Sequence, residues 1–196
     1  MTLKTLLKNW ISKSKLKDFI SEHNISDIIL YGSVVRGKDS YNDLDVAIIL
    51  NKKIKLEKRL KISQKFRNQF PFDNKKIDVK TISYKDLIDP SFIARQAIIA
   101  EGYSLIDSKF IHQKYGFKTF VVFNYNLSNL STSQKKMLYY ALNGRRGNKG
   151  MLEQKKALDL GNTIIKVPLE SSFEFKELFN YHNLKFMNWI SVEYNL

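Results

Sequence analysis

Asp43 and Asp45 are the residues whose types and spacing most clearly suit chemistry. They open an apolar run, Val46-Ala47-Ile48-Ile49-Leu50, that reads as a buried strand. Side chains two apart on a strand project from one face. The two carboxylates therefore stand side by side, with Leu44 turned the other way. Like charges so placed repel unless a cation sits between them or one keeps its proton. Hard oxygen ligands suit magnesium, which is held by one or two carboxylates together with substrate phosphates. Upstream, Gly32-Ser33 abruptly ends a second apolar run, Ile28-Ile29-Leu30-Tyr31. Glycine lets the backbone approach a phosphate closely. Serine adds a hydroxyl and an N–H at what reads as a helix start, a position that favours anions.

These residues need strands to hold them, and the surrounding pattern supplies strands. The first strand runs over roughly 27–31 and the second ends near Leu50. A lysine-rich loop follows, then a helix over 54–70 with Leu56, Leu60, Phe66 and Phe70 on one side. Pro71 and Asn74 close it. Residues 75–82 alternate strictly: Ile77, Val79 and Thr81 on one face, Asp78, Lys80 and Ile82 on the other. A strand reached through such a crossover would lie beside the one carrying Asp43 and Asp45, so Asp78 is positioned to complete a three-carboxylate cluster. Each part alone is commonplace. Gly-Ser turns follow many strands, and Asp-x-Asp often marks only a solvated strand edge. The combination is far more specific: strand, Gly-Ser, nine residues, Asp-x-Asp on a strand, then one carboxylate in a later strand.

Around this unit the chain predicts packing helices at 3–11 (Leu3, Leu6, Leu7, Trp10, Ile11) and beyond Ser14 (Leu16, Phe19, Ile20). A short helix runs from Ser83 through Leu87. Another carries Phe92, Ile93, Gln96, Ala97 and Ala100 and ends at Gly102, before a short strand at Tyr103–Ile106. A polar stretch at 107–116 suggests a division into residues 1–110 and 111–196. The second part reads β-α-α-β-α-β: strand 117–127, a helix capped by Ser131 or Ser133 through Leu142, a basic glycine loop 144–150, a short helix 151–158, strand 162–167, a helix from Ser171-Ser172 to Phe179, and a strand 185–194. The fold class expected is α/β in the α+β sense. A short mixed sheet flanked by helices is followed by a small C-terminal α/β domain.

The whole chain of 196 residues carries a net charge of +14. Residues 1–110 hold 21 Lys and Arg against 13 Asp and Glu, and residues 111–196 hold 12 against 6, so the excess is spread. It suggests a polyanionic partner, nucleic acid or an acidic protein, with a lysine-rich compositional bias as the plain alternative. There are no cysteines, which excludes disulfides and thiolate metal sites. No apolar run approaches the roughly 20 residues of a membrane span, and the N-terminus lacks the pattern of a signal peptide. A soluble cytoplasmic protein is expected. The loop Gly144–Gly150, with Arg145, Arg146 and Lys149, reads either as a phosphate grip or as an exposed basic connection. Tyr139, Tyr140 and the aromatics of 117–127 read either as base-stacking residues or as core. His23, His112 and His182 lack metal-ligand spacing.

The stretch Gly32-Ser33-Val34-Val35-Arg36-Gly37, then Asn42-Asp43-Leu44-Asp45-Val46-Ala47, then Ile77-Asp78-Val79 resembles the nucleotidyltransferase superfamily of the DNA polymerase β type, in particular its minimal branch. The later Glu101-Gly102-Tyr103 is similar to the end of such domains. The likeness covers roughly residues 20–107, with Asn42 where the family usually has serine, and residues 111–196 carry none. It implies that Asp43, Asp45 and Asp78 hold two Mg²⁺ ions. Gly32, Ser33 and Arg36 would bind the phosphates of a nucleoside triphosphate, ATP by preference. The reaction implied transfers a nucleoside monophosphate and releases pyrophosphate. The acceptors implied are RNA, small molecules or a protein, including a HEPN-type toxin for which the enzyme serves as antitoxin, and an oligomer is compatible with this. The competing expectation is a nucleic-acid- or partner-binding protein on a catalytically idle nucleotidyltransferase fold.

Overall fold

Continuous apolar runs buried on both faces, with one alternating strand beside them, build the sheet of the N-terminal unit, and the chain between its strands supplies the helices that cover it. The computed structural model describes residues 7, 10–36, 43–72 and 76–194. Gly37, Asn42 and Asn74, like Leu3 and Leu6 of the first expected helix, lie outside the described residues; Leu7 and Trp10 are helical. The chain divides into two compact units, Met1–Gly116 and Phe117–Leu196.

In the first unit, α1 (Lys13–His23) ends where Asn24 turns left-handed at φ 52° and its N–H bonds the carbonyls of Ile20 and Ser21. β1 (Ile25–Tyr31) leads to β2 (Asp43–Leu50), α2 (Leu56–Gln69) and β3 (Lys76–Ser83). Then come α3 (Tyr84–Ile88), α4 (Arg95–Glu101), β4 (Tyr103–Ser104), β5 (Lys109–Phe110) and α5 (Ile111–Lys114). The sheet order is β3-β2-β1-β4-β5. β1 pairs antiparallel with both β2 and β4, whereas β2 and β3 run parallel because α2 carries the chain back across the sheet. The sheet is mixed and flanked by helices.

The two faces of the sheet have different cores. Ile28, Leu30, Leu44, Val46 and Ile48 pack with Phe19 of α1 and Phe66 of α2. Trp10 closes this side, edge-on to Phe66 and donating its indole N–H to the Phe70 carbonyl at 3.1 Å. Ile29, Tyr31, Ala47, Ile49 and Ile82 face the other way, against Ile98 of α4 and Ile111 of α5. Gly102 ends α4 as expected, yet its φ is an ordinary −60°. Glycine is needed there because a Cβ would strike the Ile98 carbonyl and the Ile29 side chain.

The second unit is β6 (Phe117–Asn126), α6 (Thr132–Asn143), β7 (Gly144–Arg145), β8 (Asn148–Lys149), α7 (Met151–Gln154), β9 (Leu158–Gly161), β10 (Ile164–Pro168), α8 (Ser172–Tyr181) and β11 (Lys185–Tyr194). Ser131 caps α6 in a capping box with Gln134. An antiparallel sheet of order β11-β6-β10-β9 packs Val121, Phe123, Ile165 and Val167 against Leu138, Leu142, Phe175 and Phe179 of the helices. Two local features differ from the sequence reading. Residues 144–150 hold a tight hairpin, its turn made by Arg146 (φ 51°) and Gly147 (φ 83°). The helix expected over 151–158 stops at Gln154, because Leu158–Gly161 pairs with β10. Asn162 and Thr163, both left-handed, make that second turn. Among the described residues no helix is long and apolar enough to cross a membrane.

Candidate active site

The strand register gathers the carboxylates. In the parallel pairing of β2 with β3, Asp45 lies opposite Asp78, and in the antiparallel pairing of β2 with β1 it lies opposite Tyr31. Tyr31, Asp45 and Asp78 thus form a row across three neighbouring strands, which are spaced about 4.8 Å apart. Asp43 stands one pleat further along β2 on the same face, opposite Lys76. Leu44, on the other face, is fully buried. Along β2 the α4-facing side changes from apolar to acidic: Ala47 and Ile49 are buried, Asp45 is half-buried and Asp43 is exposed.

Gly32 follows β1 directly and has φ 80°. A Cβ at this position would collide with Asp45 Oδ2. The sequence reading assigned this glycine to phosphate approach; the structure adds that it makes room for the Asp45 carboxylate. Residues 33–36 then make one turn, with the Arg36 N–H donating to the Gly32 carbonyl at 3.3 Å. Among the described residues the half-buried Ser33 makes no side-chain hydrogen bond. Arg36 Nη1 donates to both carboxylate oxygens of Glu101, at 3.0 and 3.1 Å. Glu101 is only 2 % exposed and ends α4, so this pair ties the turn to the helix covering the site.

Electrostatics describe a site short of positive charge. Burial, then Asp43, then Asp78 raise the Asp45 pKa, and Lys80 and Arg36 only partly oppose them. Burial likewise raises Glu101 against the pull of Arg36, and raises the Tyr31 phenol against the pull of Lys80. Lys80, two residues after Asp78 on the same face, sets its Nζ 2.5 Å from Asp78 Oδ2. Among the described residues no three acidic or histidine side chains are gathered closely enough to hold an ion as they stand. The donors themselves are hard oxygens with mutual repulsion and fit Mg²⁺. Asp78 is held by Lys80 as the side chains stand.

Sequence reasoning assigned no site role to Lys80, Tyr31 or Glu101, although Glu101 lies in the stretch that resembles the end of nucleotidyltransferase domains. The alternation of β3 already places Lys80 beside Asp78, so that signal was present. Nothing in the sequence spacing links Arg36 to Glu101, 65 residues away.

Residues 14–110 match the family model described as polymerase beta, nucleotidyltransferase. No curated protein matches the chain. Solved structures that resemble it include a toxin–antitoxin with AMP-PNP, 19% identical over 48% of this chain and 73% of that one, at a TM-score of 0.36. A mutant MntA–HpeT toxin–antitoxin is 18% identical over 48% and 72%, also at 0.36. A tri-AMPylated Shewanella oneidensis HEPN toxin in complex with MNT antitoxin is 18% identical over 52% and 79%, at 0.33.

Proposed function

We propose, from the premise that residues 14–110 form a nucleotidyltransferase domain of the polymerase beta family, that this protein is a metal-dependent nucleotidyltransferase. It moves AMP from ATP to a hydroxyl acceptor. The observation that carries the reading is the row of Asp45 and Asp78 on paired strands, with Asp43 one pleat away and Gly32 pressed against Asp45. Asp43, Asp45 and Asp78 would hold Mg²⁺, which would supply positive charge against the triphosphate. The N–H groups and hydroxyl of the Gly32-Ser33 turn hold the outer phosphates. Arg36, one of its nitrogens engaged by Glu101, keeps other guanidinium donors for a phosphate oxygen. Asp78 orients the acceptor hydroxyl and takes up its proton. The acceptor oxygen then bonds to the α-phosphorus, the bond from the α-phosphorus to the oxygen bridging to the β-phosphate breaks, and pyrophosphate leaves. Positioning and charge stabilisation supply most of the acceleration of such a step.

The acceptor is an RNA or a protein hydroxyl, a HEPN-type toxin being the protein case. The test is Mg²⁺-dependent incorporation from α-labelled ATP into RNA, into the protein itself and into copurifying partners. Wild type labels one of these and Asp45→Asn labels none. Equal labelling by the two overturns the assignment. The Lys80–Asp78 pair favours a second reading, a nucleic-acid- or partner-binding protein on an idle fold. That reading requires no labelling by wild type in any arm and ligand binding unchanged by Asp45→Asn.

A further inference from the structure

The second unit carries a surface that the transfer reaction does not use. From Phe117 to Leu152 the chain has six Lys and Arg and no Asp or Glu. Lys118 lies on β6, and Lys149 is paired with Glu153. The other four, Lys135, Lys136, Arg145 and Arg146, are exposed and have no acidic partner among the described residues. They are not scattered. On α6, Lys136 and Tyr140 stand one turn apart on the side away from the buried Leu138 and Leu142, and Lys135 and Tyr139, also one turn apart, are exposed along the flank between. Arg145, the first residue after Gly144 on β7, places its guanidinium 4.7 Å from the centre of the Tyr140 ring. The helix face and the hairpin are therefore one continuous surface.

That surface is firmly held. Gly144 and Gly150 bracket the hairpin so closely that a Cβ on Gly144 would strike the Asn148 carbonyl, and one on Gly150 the Leu142 carbonyl at the end of α6. Tyr139 and Tyr140 are 60% and 39% exposed, with ring planes inclined at 69° and centroids 5.9 Å apart. Two large rings left in water on the outer side of a helix are not core. They are amphipathic platforms flanked by unpaired cations.

We infer that α6 and the β7–β8 hairpin form a binding surface for single-stranded nucleic acid. Lys135, Lys136, Arg145 and Arg146 meet phosphates, and Tyr139 and Tyr140 stack on bases. Cations alone would suit any polyanion. The paired tyrosine faces distinguish a strand with exposed bases from an acidic protein, because stacking needs flat partners and tolerates any base. The inference rests on observations separate from those behind the transferase reading.

The test uses the full chain and a fluorescein-labelled twelve-nucleotide oligouridylate, followed by polarisation from 50 to 200 mM salt. Binding should weaken steeply with salt. Replacing all four cations by Gln should make the log–log slope shallower by about 2–3. Each of Tyr139→Ala and Tyr140→Ala should weaken binding about 5- to 100-fold, and Tyr→Phe should restore most of the loss. A control pair on the first unit, Lys52→Gln and Lys53→Gln, should change affinity less than twofold. Circular dichroism establishes that the variants are folded. Affinity insensitive to both tyrosines, tighter binding to duplex RNA than to the single strand, or equal binding of a polyglutamate peptide would each overturn the inference. Asp45→Asn should bind the oligonucleotide as wild type does, so failure of the transferase reading and failure of this one are told apart.

Discussion

At the scale of single residues, the candidate site has too much negative charge for the cations the chain itself supplies. Burial and two neighbouring carboxylates raise the Asp45 pKa. A carboxyl whose pKa in the fold exceeds its unfolded value of about 4 takes up a proton on folding, so it costs stability as pH rises through that window and beyond. Asp27 and Glu101 shift in the same direction, burial being the first cause in both. Asp45→Asn removes one of the three. It should raise the melting temperature of the first unit at pH 7 by about 4 °C, the shift that about 1 kcal/mol produces in a domain of roughly 100 residues, and should have no such effect at pH 3.5. Thermal melts at the two pH values check this, and a loss of stability at pH 7 contradicts it. Lys80 gives a second prediction. Its partner is Asp78, and under the proposed reaction that carboxylate would have to leave Lys80 for the metal, so the ammonium and the metal would compete. Both side chains are more than a third exposed, which limits the pair to about 1 kcal/mol. Lys80→Gln should therefore lower the Mg²⁺ concentration for half-maximal labelling by up to about fivefold. A rise in that concentration would mean that Lys80 helps to bind substrate instead.

At the scale of elements, what was legible in the sequence follows from how locally each element is specified. β1, β2 and β3 could be read because alternation puts apolar side chains on one or both faces of each, and the Asp43, Asp45 and Asp78 positions came with them. The parallel direction of β2 and β3 follows from the α2 crossover, which the sequence also signals, whereas the register setting Asp45 opposite Asp78 is seen only in the structure. Short strands were the failure. β9 has only four residues and all of them are exposed, so its pairing comes from β10 and the Asn162-Thr163 turn rather than from its own pattern. The hairpin at 144–150 reads as a loop in the sequence for the same reason, its strands having two residues each. The pairing of Glu101 with Arg36 has no local signal, because it depends on where α4 ends relative to the turn after β1. That placement makes a prediction at this scale. Glu101→Gln keeps the shape of the side chain and an acceptor for Arg36, but removes the charge whose two oxygens hold Arg36 Nη1. With Arg36 43% exposed, the loss is that of a screened pair, about 1 kcal/mol. The apparent KM for ATP should rise about fivefold while kcat changes less than twofold. A fall in kcat with KM unchanged would place the pair in service of the chemical step rather than of phosphate binding.

At the scale of the whole molecule, the chain has cores that share no residue: those around β2 in the first unit, and that around Phe123, Phe175 and Phe179 in the second. A domain with its own core can unfold as its own cooperative unit. The protein's two tryptophans report on this, since Trp10 packs on Phe66 in the first unit and Trp189 lies on β11 in the second. Phe66 is fully buried, and truncating such a side chain to alanine costs about 3–5 kcal/mol. Phe66→Ala is made once with Trp189→Phe, so that Trp10 alone fluoresces, and once with Trp10→Phe. In urea the Trp10 signal should unfold at a much lower midpoint than its Phe66 parent, while the Trp189 signal keeps its midpoint. The charge distribution adds a reason to expect separate behaviour: the unpaired cations of α6 and the hairpin repel one another within the second unit alone, so added salt should raise the Trp189 midpoint in both chains. If the two signals move together when Phe66 is truncated, the units fold as one. The substrate reaction and the nucleic-acid surface would then have to be treated as parts of a single cooperative structure.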